Sequence, residues 1–159
     1  MDTQILIKVI QLMLAPAVMI NACGLLLLGI NNKYSSMINR IRILSEEKRK
    51  YMIKMERNDE LDYIESSRMH SVYKQLNVLQ YRLGIIRNSI ISLAVGSFLF
   101  ILTSLLIGVE AFVGISSTKY LFVITFAIGM ISVAISLIFL LRDTLKAFNI
   151  VQVEIKADE

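Results

Sequence analysis

Three stretches of this chain carry no Asp, Glu, Lys, Arg or His: residues 9–32, 88–109 and 120–141. A helix needs about 20 apolar residues to cross about 30 Å of hydrocarbon, and each stretch is long enough. Three membrane spans are the direct reading. The whole chain agrees, with 55% hydrophobic residues against about 45–50% in ordinary soluble domains. Such a pattern excludes a soluble enzyme, a secreted disulfide scaffold and a disordered chain. Cys23 is the only cysteine, so there is no intrachain disulfide and no cysteine-rich metal site.

Charge sets the expected topology. Residues 33–87 hold 12 Lys/Arg and 7 Asp/Glu, whereas the arm before the first span offers Lys8 and the 110–119 link offers Lys119. Excess Lys/Arg marks the cytoplasmic face. The N-terminus is therefore expected outside, residues 33–87 inside, the link outside and the C-terminal tail inside. The high pI of 9.3 follows from this rule and from attraction to anionic lipid headgroups. It does not indicate nucleic acid. Tyr34, Tyr81 and Tyr120 flank the spans, where amphipathic rings favour the headgroup layer. The first apolar run extends beyond the about 7–15 residues of a signal-peptide core, so cleavage is not expected.

Between the first two spans the backbone meets no Gly and no Pro from residue 30 to residue 83. Apolar residues recur at Met37, Ile41, Leu44, Tyr51 and Met55, then at Leu61, Met69, Val72, Leu76, Leu79, Leu83 and Ile86. Spacings of three and four are those of a coiled-coil seam. Asn58-Asp59 is the expected turn, because both residues favour turns and caps. Residues 33–87 thus read as an antiparallel helical hairpin whose arms extend the spans. His70, alone on the second arm, is read as solvated.

Within the spans, small and hydroxylated residues mark helix contacts. The second span carries Ser89, Ser92, Gly96, Ser104 and Gly108, and the third Thr125, Gly129, Ser132 and Ser136. These two stripes are expected to pack together. In the first span, Pro16 is expected to kink the helix. Ala17, Asn21, Leu28, Asn32, Ser35 and Asn39 project within about 40° of one line, with Gly24 at its margin. An amide such as Asn21 costs several kcal/mol in hydrocarbon unless it finds water or a partner. A second cluster is expected at the cytoplasmic boundary from Arg40, Arg42, Arg87, Arg142 and Asp143, with Asp143 pairing with Arg87.

No phosphate loop, metal constellation or nucleophile–base pair is present, and no span holds an ionisable side chain of the kind proton-coupled transport uses. An enzyme is not expected, and no cofactor is implied.

Four segments carry a resemblance: Ile10-Gln11-Leu12-Met13-Leu14-Ala15-Pro16, Met37-Ile38-Asn39-Arg40-Ile41-Arg42, Ile86-Arg87-Asn88-Ser89-Ile90 and Leu141-Arg142-Asp143-Thr144-Leu145-Lys146-Ala147. In order and placement they resemble the small bacterial membrane proteins catalogued as domain of unknown function 2721. The chain departs from that pattern at Asn39, where the family has an acid, and in the order of Arg87-Asn88. The resemblance implies a three-span bacterial inner-membrane protein and no particular activity.

The sequence therefore predicts an all-α membrane protein in four parts. They are an extracytoplasmic N-terminus with span one (1–32), a cytoplasmic coiled-coil-like hairpin (33–87), spans two and three (88–141) and a cytoplasmic tail (142–159). A homo-oligomeric pore or channel-like assembly is the first functional expectation. A non-conducting scaffold or regulatory subunit that binds a partner through the hairpin is the second.

Overall fold

The computed structural model describes residues 3–57, 63–113 and 118–157, with side chains for Ile7 and for 9–57, 63–110 and 120–147. It contains three long helices: α1 (Thr3–Glu56), α2 (Tyr63–Val113) and α3 (Thr118–Ala157). No strand occurs among the described residues. All three helices are long and apolar enough to cross a membrane, which makes this a multi-pass architecture. Hydrocarbon explains the choice of element, since a helix satisfies its own backbone polar groups within one segment.

Each helix runs well past its uncharged stretch. α1 continues from residue 32 to Glu56, and α2 begins at Tyr63, far ahead of residue 88. The absence of Gly and Pro from 30–83 is the local reason. The extensions lie antiparallel, with Lys54 Nζ 2.6 Å from Glu65 Oε1 and Arg68 Nε 2.8 Å from Glu47 Oε1. Lys48 also sits over the Tyr73 ring, 4.1 Å from its centre. The expected turn at Asn58-Asp59 lies outside the described residues. α1 is helical through Pro16, whose ring is buried. α3 likewise stays helical through 142–157, the stretch expected as a tail.

α2 packs against both neighbours, while α1 and α3 scarcely touch. Burial recurs every seven residues. On α1 it falls on Pro16, Cys23, Ile30, Met37 and Leu44. On α2 it falls on Val72, Leu79, Ile86, Leu93, Phe100 and Ile107. Met37 and Leu44 are buried where the apolar pattern placed them, but Met55 is 50% exposed. One residue earlier, Lys54 faces the partner arm and pairs with Glu65, so the seam ends on an ion pair.

The α2–α3 contact is close because both helices present glycine. A Cβ added at Gly96 would meet Val133 Cγ2 at 2.9 Å and the Gly129 carbonyl at 3.2 Å. One added at Gly129 would meet the Phe100 ring at 2.9 Å. Gly24, Gly29 and Gly84 face open space. Gly108 faces α1, where Met13 lies 3.8 Å from an added Cβ, so it does not belong to the α2–α3 stripe.

Two outcomes follow from this packing. Gly96→Val is expected to lower stability in detergent by about 1–3 kcal/mol through overpacking, while Gly29→Ala leaves it unchanged or slightly raised. Thermal unfolding of the purified variants measures both. In the arms, the hydrogen bond from Arg68 holds the Glu47 carboxyl below its ordinary value. A depressed acid stabilises the fold above its unfolded value, and that contribution is lost as pH falls through the folded one. The melting-temperature gap between wild type and Glu47→Gln should be present at pH 7 and close below about pH 4.

Candidate functional site: an ion triad and a polar ladder

The α2–α3 seam is polar along a regular ladder. Ser89 and Ser136 donate to each other's backbone carbonyls at 2.9 and 2.8 Å. Ser92 and Ser132 do the same at 2.8 and 2.7 Å. Thr103 and Thr125 bring their hydroxyls within 3.1 Å. Ser89, Thr103 and Ser136 are fully buried. Hydrogen bonds of this kind contribute about 0.6 kcal/mol each in a bilayer. The two small-residue stripes therefore meet as expected, with Thr103 as an additional member and Ser104 outside the bonded set.

Extending the ladder by seven residues in each helix leads from Ser89 to Arg82 and from Ser136 to Asp143. Arg82 Nε donates to Asp143 Oδ1 at 3.0 Å. From α1, Lys33 Nζ reaches Asp143 Oδ2 at 2.6 Å and Thr144 Oγ1 at 3.5 Å. The Oδ2 contact is a charge contact and not an aligned hydrogen bond. The Asp143 side chain is 0% exposed, against 16% for Arg82 and 35% for Lys33. One buried carboxylate thus joins all three helices just beyond the uncharged stretches.

This corrects the expected partner of Asp143. Arg87 lies five residues from Arg82, about 140° around the helix, and is exposed. Distance from the span end suggested Arg87; helical phase selects Arg82. The ladder spacing carried that signal, and Lys33 could not be found from it because it belongs to α1. Arg40, Arg42 and Arg142 are also exposed and make no ion pair among the described residues. Of the expected boundary cluster, only Asp143 joins the triad.

The second candidate group lies elsewhere. Asn21, Gly24, Asn32, Ser35 and Asn39 are all exposed on α1. Asn21, Asn32 and Asn39 each sit two residues from a buried position, Cys23, Ile30 or Met37, hence about 160° from the α2 seam. These polar groups point out of the subunit, along with Leu25 and Leu28.

With this geometry in place, comparison with known families is informative. A family described as protein of unknown function (DUF2721) matches residues 13–153. The chain belongs to that family. The matched region spans the α2–α3 ladder, the ion triad and the outward face of α1, so this DUF2721 member carries all three within the family's extent. No curated relative and no solved structure matches the chain. Among its described residues, no group of three or more His, Cys, Asp or Glu could hold a metal.

Asp143→Asn should strand the Arg82 guanidinium and the Lys33 ammonium. The expected loss in detergent is about 2–4 kcal/mol, somewhat below a fully buried pair because Lys33 is partly solvated. Arg82→Gln should act in the same direction and Arg87→Gln should not. Melting curves that failed to separate Arg82 from Arg87 would remove the triad as a structural element.

Proposed function

We propose that this protein forms a homo-oligomeric, pore-like assembly in the bacterial plasma membrane, with the polar face of α1 turned toward a symmetry-related copy or a water-filled axis. It would have no catalytic chemistry of its own. The observation that carries this reading is the outward position of Asn21, in the middle of an uncharged span and exposed in the subunit. An amide facing acyl chains is costly, and a ring of amides from several copies could hold water or hydrate an ion. Gly24 supports close approach, since nothing in the subunit occupies the space beside it. Much apolar surface is available for assembly: 17%, 28% and 17% of the most apolar windows of the three helices are buried.

The orientation we propose has the N-terminus outside and both the α1–α2 arms and the end of α3 in the cytoplasm, as charge favours. The seven-residue recurrence of burial supports a coiled-coil-like hairpin for the arms. Five exposed aliphatic side chains on these arms, Ile43, Met52, Ile53, Met55 and Ile64, favour a second reading: a non-conducting scaffold or regulatory subunit that binds a partner there.

Liposomes carrying the purified chain distinguish the two. The pore reading expects ion flux that Asn21→Leu changes and Gly24→Leu abolishes together with the oligomer. Leu105→Ala, exposed on α2, should alter neither. Absence of flux from an intact oligomer would leave the scaffold reading in front. Orientation is tested in a Cys23→Ala background, where Ser67→Cys should be shielded from an impermeant thiol reagent in intact cells and Tyr120→Cys should react.

A further inference from the structure

Between α2 and α3, close to the ion triad, lies an open groove of about 770 Å³. Its polar rim holds three cations, Arg87, Arg142 and Lys146, and its lining contains no acid. The nearest carboxylate in sequence, Asp143, is fully buried and engaged by Lys33 and Arg82. None of the three rim cations has a carboxylate partner among the described residues. Lys146 lies over the Tyr81 ring, 4.0 Å from its centre, which holds the ammonium at the groove edge.

We propose that this groove binds the phosphate headgroup of an anionic phospholipid. Three observations select a lipid over a free anion. The first is depth: Arg87 immediately precedes one uncharged stretch and Arg142 immediately follows another, so both guanidiniums stand at the height of the phosphate layer. The second is the lining, where Ile85, Phe139 and Leu145 supply apolar surface beside the cations. A headgroup could engage the rim while its chains remain among apolar groups. The third is room, because Gly84 lines the groove and a Cβ there would meet nothing within 4 Å. Two guanidiniums suit a phosphate because each offers paired donors in a planar fork. The groove is on a different face from α1, so it stands whether or not the assembly conducts.

The test is lipid retention by the full-length chain from mixed micelles of phosphatidylglycerol and phosphatidylcholine, read by native mass spectrometry. Wild type is expected to hold phosphatidylglycerol about tenfold or more in preference, as a difference of about a decade in affinity implies. The triple variant Arg87→Gln, Arg142→Gln and Lys146→Gln should lose that preference. Gly84→Leu should lose it too, with every charge intact and open space where its Cβ would stand. A charge-matched control on the arm, Lys48→Gln, Arg49→Gln and Lys50→Gln, should keep it. Retention unchanged in either groove variant, or lost equally in the arm control, would overturn the site. Displacement of the lipid by millimolar inorganic phosphate would overturn the lipid as its occupant.

Discussion

Lipid tails are as apolar as leucine, so burying leucine gives two helices little reason to associate within a bilayer. What holds α2 to α3 is therefore steric closeness and hydrogen bonding, and both come from small residues. Gly96 and Gly129 let the backbones approach until a methyl group would not fit. At that separation Ser89, Ser92, Ser132 and Ser136 reach across to opposite carbonyls. The same register delivers Arg82 to Asp143. Close approach, hydroxyl exchange and ion pairing follow from one seven-residue spacing repeated along both helices. α1 relies on a larger apolar seam and joins α3 through the reach of Lys33.

Much of this was legible in the sequence because it depends on local properties. Lack of charge gives the spans, lack of Gly and Pro gives the uninterrupted arms, and the serine and glycine stripes gave the α2–α3 contact. What escaped were matters of phase and of third partners. Proximity to a span end points Asp143 to Arg87, whereas angular position on α2 favours Arg82. Met55 fitted the apolar spacing, yet Lys54 takes the contact because Glu65 lies opposite. Lys33 was unreadable as a partner because nothing in its own neighbourhood refers to α3. The outward direction of the α1 asparagines needed the location of the opposing seam, which only the pattern of Cys23, Ile30 and Met37 supplies.

Charge is sorted by helix face near the edge of the spans. One side of α3 hides its acid between two cations, and the neighbouring positions leave Arg142 and Lys146 at the open groove. Neutralising the acid internally has an external effect: among the described residues, no exposed carboxylate opposes the cations around the groove. A single buried side chain thus fastens three helices and leaves the adjoining surface positive.

α1 is one continuous helix of 54 residues, about 80 Å at 1.5 Å per residue. Over the 54 positions from 30 to 83, neither α1 nor the arm beside it contains a glycine or proline at which it could easily fold. A rod of that kind is stiff against bending over its own length. Lys33, clasped to Asp143, lies between its two halves like the pivot of a beam. A sideways load at the far end of the arm would therefore be carried down to the Lys33–Asp143 clasp with no glycine or proline in α1 between them to absorb it.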